Sequence, residues 1–333
     1  MPFRDPRQQL KPRLDPLERF LQIEAAFDAD RGMLGDRVPL RLAAINLLLA
    51  PGEPAEIAAG VREFHERFDL RGKWYAALGS SMELLLCAIL YEHGDTPEAF
   101  ADEFDRLRPR LREYKLRGAE TYQIMAMLLL RLHNELGPVE DAQLERMAAM
   151  FEAMKSQHRW LTGVEDYPAC AFFVTQPGEP EQHAAHANAV YNALRKHGSV
   201  WRGNALQTAS NMLALSPLEP DELGRRFAAY AQRFKQHKLK VRIADYDEVA
   251  LLCFLAHPIE KVVDMVVHYR EQVSDRLPQV MGPHAFTLAA NLAYVRLLGN
   301  DETLGKLGDL KALLDMQAII AARAAAAAAA GAA

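Results

Sequence analysis

Apolar residues recur along this chain with helical spacing, and they fall into two kinds of segment that alternate. One kind is amphipathic and rich in charge. The other is apolar around most of its circumference: Tyr122 to Leu132, Tyr167 to Val174, Ala205 to Leu215, Val249 to Ala256 and Phe286 to Leu298. A helix of the second kind must be covered on most sides, whereas its amphipathic neighbour can face water. Alternating valine, isoleucine and threonine are almost absent, so strands are not expected and the fold class is all-α. Prolines followed by acids mark helix starts at Pro54, Pro97, Pro138, Pro180, Pro220 and Pro258. Proline suits a first helical position, where its missing N–H would have no partner, and acids there meet the positive end of the macrodipole. The spacings between these prolines are 43, 41, 42, 40 and 38 residues. This predicts a repeat of about 40 residues, each unit a helical hairpin with an outer amphipathic and an inner apolar helix.

Two further helices, over Pro16 to Ala29 and Val38 to Leu49, are expected ahead of the first proline start, giving six or seven hairpins. Such an array forms an open α-solenoid or a closed α/α toroid. The expected organisation is an N-terminal arm over 1–15, a single helical domain over 16–320 and an alanine-rich tail over 321–333. A long helix that frays into the alanine tract is expected from Asp301 onward.

Composition narrows the function classes. With 50% hydrophobic and 25% charged residues the chain is an ordinary globular one. A net charge of -5, from 39 basic against 44 acidic residues spread along the chain, disfavours nucleic acid as a partner. Cys87, Cys170 and Cys253 lie far apart in apolar runs and read as buried thiols in a reducing compartment. No apolar run is long enough for a membrane span, and the first residues lack the apolar stretch of a secretory signal. A cytoplasmic protein is expected.

Two polar clusters stand out against this background. The first holds Met154, Lys155, His158, Leu161, Thr162, Glu165, Asp166, Tyr167 and Pro168; the second holds Trp201, Gly203, Asn204, Leu206, Gln207 and Ser210. They occupy equivalent points of successive units, on the turns of the third and fourth proline-led hairpins, and so are expected to be neighbours on one rim. His158 is a candidate metal ligand or general base, or a dipole partner at a helix end. Glu165 and Asp166 are candidate acids or helix caps. Asn204, Gln207 and Ser210 share one face of an inner helix and either bind the adjoining turn or face a ligand. Thr162 and Trp201 complete the candidate set. His183 and His186 lie on an outer helix, where metal binding is the minor reading, and Trp74, Trp160 and Trp201 fall near turns. No phosphate loop, dinucleotide fingerprint, CxxC, nucleophile elbow or HExxH is present.

The runs MKSQHRWLTGVEDYPA and WRGNALQTASNMLAL, with the alanine-rich close preceded by Met316 and Gln317, resemble a bacterial group known as the domain of unknown function 4003 family. The resemblance implies a helical cytoplasmic protein and carries no catalytic residues. In the family pattern an acid follows the motif asparagine and a histidine follows the motif serine. Here those places hold Ala205 and Asn211, which would remove part of any metal site built on them. Two functions follow as expectations. One is a helical-repeat protein that binds a small molecule, peptide or protein at the rim of hairpin turns. The other is a toroid enzyme, divalent-metal dependent or not, with its site around His158, Asp166 and Asn204. Cofactors and oligomeric state are left open by the sequence.

Overall fold

The computed structural model describes residues 15–28, 37–69, 79–118, 120–157, 161–280 and 283–298. Within them lie fourteen α-helices and no strand: α1 (Pro16–Asp28), α2 (Arg37–Asn46), α3 (Pro54–Asp69), α4 (Gly79–His93), α5 (Pro97–Glu113), α6 (Glu120–His133), α7 (Asp141–Gln157), α8 (Tyr167–Val174), α9 (Pro180–His197), α10 (Asn204–Leu213), α11 (Pro220–Gln236), α12 (Tyr246–Leu252), α13 (Ile259–Arg276) and α14 (Pro283–Leu298). Short 3-10 turns cover Leu47–Leu49, Val164–Asp166 and Ile243–Asp245. Of the expected arm only Asp15 is described; the helix from Asp301, the alanine tail, Trp74, Trp160 and His158 lie outside the described residues.

Consecutive helices pack in pairs, and the pairs stack on one another. Odd-numbered helices touch in succession from α1 through α3, α5, α7, α9 and α11 to α13. Among the even-numbered ones, α2 packs on α4, and α6, α8, α10, α12 and α14 pack in succession. α4 and α6 face each other across a small apolar cavity of about 10 Å³ lined by Met82, Leu86, Ile89, Ile124 and Leu128. The burial pattern follows the sequence pattern. All eight residues of α8 are buried, whereas α11 buries a single stripe of Leu223, Gly224, Phe227, Tyr230 and Phe234. That spacing is the 3.6-residue period of a helix covered on one side only.

Helix starts follow the proline rule with two corrections. Thr96 Oγ1 accepts the Ala99 N–H at 3.2 Å and places Pro97 at the first position of α5. Pro138, expected to start a helix, stands outside one, because α5 holds the segment that follows. Val139 donates its N–H to Glu103 Oε1 at 2.7 Å and its carbonyl accepts from Arg106 at 2.8 Å. The helix therefore starts only at Asp141, with Gln143 Oε1 accepting the Glu140 N–H at 2.9 Å. Pro258 likewise sits one residue early, as an extended cap to α13.

Arginines on the odd helices hold backbone carbonyls of the turns that follow the even helices. Arg19 donates to Leu48 and Ala50, Arg146 to Gln176 and Gly178, and Arg226 to Leu255. The first and last pairs also meet. α14 packs on α1 and α2, the Tyr269 hydroxyl donates to Asp15 Oδ2 at 3.0 Å, and Arg276 pairs with Glu18. The three cysteines are buried and none forms a disulfide among the described residues, and burial pushes the Cys253 thiol up to about 12. Among the described residues no helix is long and apolar enough to cross a membrane.

Candidate functional site

The first polar cluster folds into the turn between α7 and α8. Gly163 is extended, and Asp166, only 6% exposed, accepts the Gly163 N–H on Oδ2 at 3.0 Å, closing the 3-10 turn. Glu165 and Asp166 thus precede α8 and do not form its first turn. Tyr167 opens α8 with its ring edge against Phe151, centroids 5.1 Å apart, and its hydroxyl donates to Arg117 O at 3.0 Å in the preceding pair. Burial raises the phenol pKa. The same device recurs before α12: Asp245 Oδ2 accepts the Arg242 N–H at 2.7 Å and Tyr246 opens the helix.

The second cluster occupies the turn between α9 and α10. Gly203 caps α10 with φ 142° and ψ −171°, a conformation that glycine alone adopts readily. Asn204, exposed at the helix start, reaches Glu165 Oε1 with Nδ2 at 3.3 Å, and Gln207 Nε2 lies 3.4 Å from Thr162 Oγ1. The two clusters are therefore neighbours, and their side chains join the two turns directly. Ser210 is turned into its own helix, its hydroxyl placed 2.6 Å from Leu206 O and 2.9 Å from Gln207 O. Trp201 stands apart from this network. Its side chain is 73% exposed, and only its backbone N–H is shown engaged, donating to Tyr246 Oη at 3.0 Å.

Behind the joined turns, a cavity of about 10 Å³, the space of about one water, opens between α7, α9 and α10. Met154, Gln157, Tyr191, Gln207, Ser210 and Asn211 line it. Gln207 Oε1 and Asn211 Nδ2 are buried without a partner among the described residues, one acceptor and one donor a helical turn apart. Polar groups of this kind are costly to bury unpaired. The cavity lining is neutral and amide-rich, and the carboxylates Glu165 and Asp166 belong to the joined turns; Asp166 would have to release Gly163 to act as a base. Among the described residues no group of three His, Cys, Asp or Glu side chains converges as a metal site. His183 and His186 lie half-buried on α9, where His183 stacks obliquely on Phe173 and burial lowers its pKa.

A second buried acid drew no weight from the sequence beyond its position at a helix start. Glu248 on α12 is 2% exposed; Oε1 accepts from Thr287 on α14, and Oε2 has no partner among the described residues. Burial first, and then the neighbouring Asp247, raise its carboxyl well above the ordinary range. The folded protein therefore holds this proton to higher pH than the unfolded chain does. Stability falls as pH rises past the unfolded carboxyl value of about 4.3, until the folded group also ionises. Glu248→Gln keeps the Thr287 bond and removes the penalty. Its thermal midpoint is expected to exceed that of the parent by more at pH about 8 than at pH about 5; an equal difference at both would contradict the assignment.

A family model described as protein of unknown function (DUF4003) matches residues 74–324, which include both polar clusters. No curated protein and no solved structure matches the chain.

Proposed function

Because the chain belongs to the DUF4003 family, described only as proteins of unknown function, we propose its function from its own geometry: a closed α/α ring of seven hairpin repeats that binds a partner along the rim of its turns. The ring reading is supported by the contacts of α14 with α1 and α2 and by the Tyr269–Asp15 and Arg276–Glu18 bonds, which join elements at opposite ends of the sequence. An open solenoid has no such contacts between its first and last units. The polar residues of the two clusters serve to stack turn on turn. This leaves the outward surface of the rim for recognition, in a cytoplasmic setting suited to three buried thiols.

The observation that carries the binding reading is Trp201. A tryptophan 73% exposed on a turn held by Tyr246 is a large apolar surface presented by a fixed backbone. Tryptophan is strongly enriched among the residues that dominate binding energy at interfaces. A photoreactive phenylalanine analogue at position 199, an exposed serine on the same turn as Trp201, tests this in the native cells. A discrete covalent adduct from position 199, absent when the same analogue replaces the exposed Ala185 of α9, supports rim binding. Adducts from both positions alike, or from neither, contradict it.

A further inference from the structure

Two turns lie side by side on the rim, 198–203 between α9 and α10, and 237–245 between α11 and α12. The Trp201 N–H bond to Tyr246 and the packing of the Ile243–Asp245 turn on α10 hold them together. The one acid in the two turns is Asp245, buried at the end of the second. Between them they expose Arg202, Lys238 and Lys240, which have no ion-pair partner among the described residues. Arg242 is engaged by Asp245 at 2.9 Å, so its charge is already matched. The two exposed large apolar side chains of the described surface, Trp201 and Ile243 at 73% and 48%, sit on these same turns. Leu239 and Val241 turn inward onto the core, which fixes the 239–242 segment and directs its cations outward. A local excess of positive charge on a chain of net charge -5, set around two apolar anchors, is a directional feature of one part of the rim.

We propose that these two turns form a docking patch for an acidic polypeptide segment bearing apolar side chains. Trp201 and Ile243 supply the apolar anchors, and Arg202, Lys238 and Lys240 the complementary charge. The proposal rests on the rim-binding reading and adds the chemistry of the partner. Charge complementarity selects an acidic partner over a basic one. The patch is small for a membrane: three unpaired cations fall short of the cluster of about four to eight that holds a protein to anionic lipid.

The test is fluorescence anisotropy of the full chain with a labelled peptide of Glu-Glu-Leu repeats, against the same peptide with lysine for glutamate, and against vesicles of phosphatidylserine and phosphatidylcholine. Binding of the acidic peptide is expected, weakened at least tenfold by Trp201→Ala, by the pair Lys238→Glu and Lys240→Glu, and by raising salt from low to high. Both sets of changes fall on exposed side chains, and circular dichroism of each variant confirms that it is folded. Failure of the acidic peptide to bind overturns the proposal, as does equal binding of the lysine peptide, binding to vesicles alone, or indifference to both sets of substitutions. Self-association of the protein that the substitutions abolish overturns it in favour of a second copy. A photo-adduct at position 199 with a partner that is not acidic would overturn this proposal while leaving rim binding standing.

Discussion

Arg131→Ala is expected to lower the free energy of unfolding by about 3 to 5 kcal/mol, the largest loss from any single charge in the described fold. Arg131 on α6 reaches Asp95, in the turn after α4, through Nε at 2.5 Å and a second guanidinium nitrogen at 2.9 Å. Both residues are buried, at 8% and 4% exposure. Asp95 is fixed by its neighbours as well: its N–H donates to Leu90 O at 2.9 Å, and its Oδ1 accepts the Thr96 N–H at 2.8 Å. Truncating the arginine therefore strands a carboxylate that cannot swing out to water. That stranded charge, more than the lost attraction, is the source of the cost. Urea unfolding measures it. A double variant, Asp95→Asn with Arg131→Met, is expected to recover much of the loss. A cost for Arg131→Ala below about 1 kcal/mol would place the pair with ordinary surface ion pairs and contradict the burial argument.

Gly224→Ala carries the second large effect, with a sign opposite to helix propensity. Alanine in a helix interior is favoured over glycine by about 1 kcal/mol. At this position, however, a Cβ would stand 2.6 Å from the Ala193 carbonyl oxygen and 2.8 Å from its carbonyl carbon. Those atoms are backbone of α9, so no rotamer change relieves the contact and α9 and α11 must separate. Overpacking of this kind costs about 1 to 3 kcal/mol, and a lowered thermal midpoint is expected. A raised midpoint would mean that the two helices have room to part, contrary to the close packing described. Gly60 is a contrasting case, because the atoms its Cβ would meet belong to the Tyr91 side chain.

Much of this architecture was legible in the sequence because helices record burial in their period. α8 matches the apolar run Tyr167 to Val174 residue for residue, and α3, α5, α9 and α11 begin at the prolines that predicted them. Pro138 failed as a start signal because the competing interaction is tertiary: Glu103 and Arg106, more than thirty residues earlier, hold Val139 out of the helix. The pairing of the two clusters was also legible, from equivalent positions on successive hairpins. Which way each side chain turns was not. Asn204 and Gln207 bond the adjoining turn, Ser210 bonds its own helix, and Trp201 faces solvent, although all four read alike as polar or aromatic residues on one turn. Their directions depend on the approach of α8 to α10, a distance that no local pattern encodes. The Asp95–Arg131 pair lay hidden for the same reason, since 36 residues separate its members. The arginines that hold the turns after the even helices looked like solvated charge on amphipathic helices.

An intramolecular cross-link across the join tests the proposed closure of the hairpins into a ring. Glu18 and Arg276 are partners 258 residues apart in sequence, on α1 and α13. The three native cysteines are buried, so Glu18→Cys with Arg276→Cys presents the reactive pair at the surface. Treated under native conditions with a short bismaleimide, the double variant is expected to give an internally linked monomer in high yield, identified by mass spectrometry as a single peptide pair joining α1 to α13. The yield should collapse when the protein is first unfolded in urea. Absence of the linked monomer under native conditions, with both thiols singly modified, would mean that the ends stand apart and that the array is an open solenoid.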